Sequence, residues 1–256
     1  MATVGSAAVG SKTVGSKTVL ITGASSGIGA ATAKRFAAAG HNLILIARRE
    51  EKMRELGVKA ELIALDVSDR VAVQEALAGR EVDVLVNNAG IAPGGLSLAQ
   101  NGALDDWEQT VDVNVNGLLY VTHALLAGMA QRKRGHIINI GSAAGTFPYP
   151  GGNVYGATKA FVELFSLNLR ADLLGTGVRV TNIAPGMVET DFSVVRFAGD
   201  QAKADAVYAN MQPLTSEDIA ETIFWSAAQP AHVNINRIEV MPTAQANAGF
   251  AVKRNV

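Results

Sequence analysis

Seven short apolar, β-rich runs, separated by stretches of helical pattern, constrain this chain more than any other feature. They are TVLIT (18–22), NLILIA (42–47), AELIALD (60–66), VDVLVN (82–87), HIINIG (136–141), VRVTNI (178–183) and INRIEVM (235–241). A strand with one wet face alternates apolar and polar residues, whereas these runs are almost continuously apolar. Continuous runs belong to strands buried on both faces, which means a parallel sheet with helices packed above and below. The segments between them suit that role: IGAATAKRFAAAG (28–40) reads as a helix closed by Gly40. The expected fold is a single doubly wound α/β domain around a seven-stranded parallel sheet. No break in composition marks a second domain.

The composition removes several function classes. A formal net charge of −1, with 18% charged residues, does not suit a nucleic-acid binder. The one basic cluster, QRKR (131–134), reads instead as the cationic end of a helix stopped by Gly135. With no cysteine there are no disulfides, thiolate nucleophiles or Cys-ligated zinc, and the four histidines show no metal-ligand spacing. No metal is expected. No apolar run approaches the ~18 residues of a membrane span, and the N-terminus lacks the apolar core of a signal peptide. A soluble, cytoplasmic protein without a membrane partner is expected. The opening MATVGSAAVGSKTVGS (1–16) repeats VGS without apolar periodicity and reads as a flexible extension outside the fold, of cloning origin or otherwise. The catalytic domain would then be 17–256.

The first strand runs into TGASSGIG (22–29), which opens a helix. Glycines at 23, 27 and 29 let the backbone approach a pyrophosphate, whose charge a helix N-terminus favours. In that reading Ser25, Ser26 and Ile28 line the same turn of a Rossmann dinucleotide fold. The spacing is not GxGxxG, and two other readings stand beside it. Gly23-Ala24-Ser25-Ser26-Gly27 also spells the GxSxG of a hydrolase elbow, although nothing but the low-complexity extension precedes it to supply an oxyanion hole. The third is a purely structural turn.

Three further motifs bear on the choice. TGASSGIG, the strand-end NNAG (87–90), and Ser142 followed by YGATK (155–159) together resemble the short-chain dehydrogenase/reductase family, from about residue 17 to the end. More narrowly, INIGSAAGTFPYPGGNVYGATKAF and PAHVNINRIEVMPT look like the NADP-dependent 3-hydroxy acid dehydrogenases that act on serine, allo-threonine and malonic semialdehyde. Tyr155 and Lys159 are four apart in a helical stretch and so share a face. A lysine ammonium there favours the phenolate and lowers the pKa of a tyrosine that would otherwise titrate near 10. The resemblance makes Tyr155 the proton donor and acceptor. It makes Lys159 the group that tunes Tyr155 and holds the nicotinamide ribose, and Ser142 the hydrogen-bond partner of the substrate oxygen. It also makes Asn114, rather than its neighbour Asn116, the support of a proton relay.

The second strand ends in Ala47-Arg48-Arg49, where an arginine accommodates the 2′-phosphate of NADP and an acidic residue would instead hold a ribose hydroxyl. A solvated basic loop is the alternative. The resemblance places adenine at Asp66 and Val67. It assigns the adenosine–nicotinamide span to Asn88, Ala89 and Gly90, and the nicotinamide cap to Pro185, Gly186, Val188 and Thr190. Arg196 lies six residues after Thr190, in a segment (187–212) that in this fold covers the site as a lid. A short anionic substrate offers little apolar area, so a guanidinium would orient it. Tyr149 is a second donor candidate. Pairing with Asp191 or Asp200, or plain exposure, are the other fates of Arg196.

The function expected is hydride transfer between NADP(H) and a small 3-hydroxy acid or its semialdehyde. Sulfoacetaldehyde reduction and a non-catalytic NADP-binding regulator are the alternatives. The resemblance implies a homotetramer using helices around 105–130 and 153–174, with the tail TAQANAGFAVKRNV against a neighbouring subunit.

Overall fold

The computed structural model describes residues 15–246. Residues 1–14 of the expected extension and 247–256 of the tail lie outside the described residues. One parallel sheet has the order β3-β2-β1-β4-β5-β6-β7, built from β1 (Thr18–Thr22), β2 (Asn42–Ala47), β3 (Glu61–Ala64), β4 (Val84–Asn87), β5 (Gly135–Ile140), β6 (Val178–Pro185) and β7 (Arg237–Val240). The helices between them are α1 (Gly27–Ala38), α2 (Glu50–Arg54), α3 (Arg70–Leu77), α4 (Leu104–Val111), α5 (Leu118–Gln131), α6 (Asn153–Asp172), α7 (Asp191–Arg196), α8 (Gln201–Ala206) and α9 (Ser216–Ala228).

The runs of the five inner strands are buried on both faces, whereas the edge strands β3 and β7 are only partly buried. Val19, Ile21, Val84 and Val86 point to one side, into a core closed by Phe36 of α1 and by Ile219 and Ile223 of α9. Leu20, Leu85, Ile137 and Val180 point to the other, against Leu125 and Met129 of α5 and Leu169 of α6. β1 and β2 begin and end where the sequence places them. β3 is shorter than AELIALD because it is an edge strand, paired only with β2, and Asp66 turns away to accept from the Ser68 backbone and hydroxyl. β6 is longer, because β7 pairs with it as far as Pro185.

Two expectations change. The helix ending at Gln131 is stopped by Lys133, whose φ of +52° is left-handed, with Arg134 N–H donating to the Met129 carbonyl. That is the Schellman geometry usually given to glycine. Gly135 instead opens β5, where a Cβ would sit 2.7 Å from the Met129 sulfur. The second concerns length: α4, a π-helical turn (Asp112–Gly117) and α5 run together as Leu104–Gln131, a helix long and apolar enough by length and composition to cross a membrane. Here its buried side, including Leu118, Val121, Leu125 and Met129, packs beneath the sheet as a core helix.

Candidate active site

The sheet order reverses between β1 and β4, and the crevice outside their C-terminal ends is where ligands bind in such folds. A cleft of about 570 Å³ opens there. It is lined by Gly23, Ser25, Ser26, Gly27, Ile28, Arg48, Arg49, Asp66, Val67, Asn88, Ala89 and Gly90 on one side. Ser142, Tyr149, Tyr155, Lys159, Pro185, Gly186, Val188, Thr190 and Arg196 line the rest. Gly29 and Asn114 stand behind the lining and act on its shape.

The glycine turn is tied to the end of β1 and to the residues just after β4. Thr22 Oγ1 accepts from the N–H groups of Asn88 and Ala89, both at 3.0 Å, while Asn88 Nδ2 donates to the Thr22 and Gly23 carbonyls at 3.0 and 3.2 Å. A Cβ on Gly29 would stand 2.3 Å from the Gly23 carbonyl oxygen, and Gly23 itself has φ +65°. Both positions therefore require glycine for close approach. Arg48 lies 3.8 Å from Asp66, and Arg49 reaches Ser25 Oγ at 3.5 Å, and both cations line the cleft with the turn.

Tyr155 and Lys159 project from the first turns of α6. Lys159 is 6% exposed; its Nζ donates to the Ile140 carbonyl at 2.8 Å, and burial lowers its pKa to about 8. Tyr155 is hydrogen-bonded to Ser142, and its pKa is raised by burial, opposed first by the Arg196 guanidinium and then by that hydrogen bond. The balance differs from the expected lowering by Lys159. The ammonium is 5.8 Å from the ring centroid and engaged with a carbonyl, so desolvation of the phenolate wins. Ser142 caps the short turn Ala143–Gly145, its Oγ accepting from Ala144 N–H at 3.1 Å. Asn114 is buried in the π-helical turn, a feature frequent at functional sites. Its Oδ1 accepts from Ile91 N–H at 2.8 Å, and its Nδ2 donates to the Ile91 carbonyl and to Thr158 Oγ1. Asn116 by contrast bonds to Asp112 on its own helix.

The opposite wall comes from the segment after β6. Thr190 caps α7 and would lie 3.3 Å from a Cβ on Gly27, so the two walls nearly meet there. Arg196, at the end of α7, has its Cζ 5.0 Å from the Tyr155 ring centroid and 5.1 Å from that of Phe192. Its Nη2 donates toward Tyr149 Oη at 3.4 Å, and its Nε is buried without a partner. Among the described residues Arg196 forms no ion pair; Asp200 pairs with Lys203 at 2.9 Å.

Sequence reasoning missed three contributors. Phe192 packs on Tyr155. Tyr208 donates to the Val188 carbonyl at 2.8 Å and lies 2.7 Å from Ser193 Oγ. Gln245 accepts from Met187 N–H at 2.8 Å. No local motif marks the last two; for the first, a phenylalanine two residues after the Thr190 cap was the signal.

A glycine turn at the switch point, facing a Ser–Tyr–Lys cluster, defines a dinucleotide-fold oxidoreductase site. The short chain dehydrogenase family matches residues 17–201, and the chain belongs to that family. It is 53% identical to the NADP-dependent 3-hydroxy acid dehydrogenase YdfG of Salmonella typhi, over 93% of this chain and 99% of that one. It is also 53% identical to sulfoacetaldehyde reductase 2 of Chromohalobacter salexigens, over 93% and 98%. The closed form of serine dehydrogenase complexed with NADP+ superposes with a TM-score of 0.90, at 50% identity, covering 93% of this chain and all of that one.

Proposed function

We propose that this chain is an NADP-dependent oxidoreductase that moves a hydride between NADP(H) and a small 3-hydroxy acid or its semialdehyde. The fit of the cofactor rests on the glycine cradle, which a Cβ at Gly29 would fill, on Arg49 beside Ser25 and on Arg48 beside Asp66. The arginines and Ser25 would hold the 2′-phosphate, Ser26 to Gly29 the diphosphate, Asp66 and Val67 the adenine, and Asn88 to Gly90 the span between. Pro185, Gly186, Val188 and Thr190 would cap the nicotinamide, with Tyr155 and Lys159 at its ribose. When bound, the nicotinamide supplies or accepts the hydride.

The chain's own residues do the rest. Ser142 holds the substrate oxygen, and Tyr155 gives that oxygen a proton in reduction and takes it back in oxidation. Lys159 stays charged below about pH 8, with its Nζ anchored on the Ile140 carbonyl beside the proposed ribose position. Asn114 holds the loop at Ile91 against α6, which supports its place in a proton relay toward solvent. Residues 187–212 act as a lid, with Phe192 over Tyr155 and Tyr208 tying α7 to Val188.

The observation that carries the substrate class is Arg196 with Tyr149. They present a guanidinium and a hydroxyl, with no acidic partner among the described residues, at the tyrosine that protonates the substrate. Paired donors of that kind bind a carboxylate. Arg196→Ala should raise KM for malonic semialdehyde at least tenfold more than for propanal; equal effects would assign Arg196 to lid closure. A sulfonate would fit the same donors, and the 53% identity to a sulfoacetaldehyde reductase favours that as the second reading. Steady NADPH consumption with malonic semialdehyde against sulfoacetaldehyde separates the two, and no turnover with either leaves a non-catalytic NADP-binding protein.

Assembly as a homotetramer is supported by an apolar stripe on α6 (Phe161, Leu164 and Leu167) together with Leu104 and Val111 of α4, all exposed in the single chain. Sedimentation as a monomer at working concentration would refute it. The reading includes a soluble, cytoplasmic protein, with residues 1–16 as an extension outside the catalytic domain.

A further inference from the structure

The guanidinium of Arg196 lies nearer the Tyr155 ring than the lysine that shares its helix face, with Cζ at 5.0 Å against 5.8 Å for Lys159 Nζ. Arginine is always charged, and a cation beside a phenol favours the phenolate. If an anionic substrate docks on Arg196, its own charge compensates the one that acts on Tyr155.

We propose that Arg196 couples the charge of the substrate to the proton affinity of Tyr155. With an uncharged substrate the guanidinium holds the phenol more acidic; a carboxylate or sulfonate seated on it cancels that influence and leaves the phenol protonated. The proposal rests on Arg196 being the anion site. It gives one residue two tasks, recognition and arming. In reduction the carbonyl π bond breaks as hydride reaches carbon and the Tyr155 proton reaches oxygen, leaving a phenolate to be reprotonated. Burial already keeps the phenol protonated at neutral pH, and an acidic aldehyde strengthens that hold on the proton. In the reverse direction the hydroxyl proton must go to a phenolate, so oxidation of a hydroxy acid needs a higher pH than oxidation of an uncharged alcohol of the same skeleton.

The other groups around Tyr155 are shared by both cases. Lys159 is on its own helix, Ser142 and Tyr149 are on the loop after β5, and Tyr208 follows α8. Ser142 works with Arg196 to lower the phenol pKa, while burial, Tyr149 and Tyr208 raise it. Asp106 lines the small cavity that Tyr155 and Arg196 also border, and Asp191 lines the main cleft. A comparison between two ligands that differ only in charge cancels all of these.

The test is a titration of tyrosinate by ultraviolet difference absorbance, on protein saturated with NADPH and either 3-hydroxypropionate or 3-hydroxypropionamide, dead-end complexes in which no hydride can move. Tyr155→Phe provides the background from Tyr120, Tyr149 and Tyr208. The wild-type titration should lie on the order of one pH unit higher with the carboxylate, a tenfold change in proton affinity. Arg196→Gln should bring the two titrations together, and Arg196→Lys should keep them apart. The pH dependence of kcat for oxidation should show the same gap, since kcat reports the complex. Coincident wild-type titrations would overturn the coupling. In that event a selective rise in the KM of Arg196→Gln for 3-hydroxypropionate would leave Arg196 as the anion site. An equal rise for both ligands would remove that reading as well.

Discussion

On the wall formed by the ends of β1, β2 and β4, the backbone does most of the shaping; on the wall formed by residues 187–212, side chains do it. The glycine turn is held by Thr22 and Asn88 through hydrogen bonds from β4 to β1, and its glycines are places where nothing else fits. The facing wall is two short helices capped by Thr190 and Asp200 and tied down by Tyr208, with Phe192 and Arg196 reaching across to Tyr155. A cofactor common to many enzymes suits a surface defined by backbone. A substrate that distinguishes one enzyme from another suits a surface defined by replaceable side chains.

The contrast can be broken most forcefully at Tyr155, where the two walls meet. Tyr155→Phe keeps the ring packed on Phe192 and removes only the hydroxyl proposed to transfer the proton. It should bind NADPH normally by fluorescence titration and lose about 10²–10⁴-fold in kcat. Substantial residual turnover would move the acid–base role elsewhere.

At Lys159 function and stability should part. Its pKa falls from 10.5 to about 8 on folding. The unfolded chain therefore binds more protons there between about pH 8 and 10.5, and the stability contribution of this group rises with pH across that window. Below it the buried ammonium costs about 3 kcal/mol, offset by about 1 kcal/mol from its bond to the Ile140 carbonyl. Lys159→Met should consequently gain about 2 kcal/mol at pH 7 in urea unfolding while losing activity, and the gain should shrink toward pH 10. A variant less stable than wild type at neutral pH would show that the ammonium is not under strain.

On the cofactor wall the expected effects are confined to affinity. Arg48→Asp places a carboxylate where a cation now faces Asp66, so NADPH binding should weaken by about tenfold or more, at 1.4 kcal/mol per decade, with kcat at saturation little changed. Equal use of NADH and NADPH by the wild type would defeat the assignment of Arg48 and Arg49. The smallest effect should come from the cap of α7. Thr190→Val removes the acceptor for Phe192 N–H, which should cost about 1 kcal/mol of local stability and raise KM for substrate more than for NADPH. The reverse ranking would mean that Thr190 belongs to the cofactor wall alone.

The short apolar runs, the helix stop at Gly40, the glycine turn and the Tyr155–Lys159 spacing were all legible because each is a local pattern: a periodicity, a cap, or a pair one helical turn apart. Parallel pairing followed from burial on both faces, so the sheet could be anticipated without its contacts. Local rules also misled where a distant neighbour intervened. Lys133 takes the left-handed helix stop expected of Gly135, while Gly135 sits where β5 passes the Met129 side chain. The acidity of Tyr155 was assigned to the lysine four residues on, whereas the folded chain brings a guanidinium 41 positions away closer to the ring.

What the sequence determined by itself is therefore the fold class, since propensity and periodicity act within a few residues, and its motifs named the proposed reacting groups through their resemblance to a family. Only the tertiary structure decided how those groups are tuned. It set Arg196 over Tyr155, laid Thr190 against Gly27, brought Gln245 to Met187, and buried Lys159 under the end of β5. Desolvation and Coulomb interaction depend on distances across the folded chain, and no spacing along the sequence encodes them.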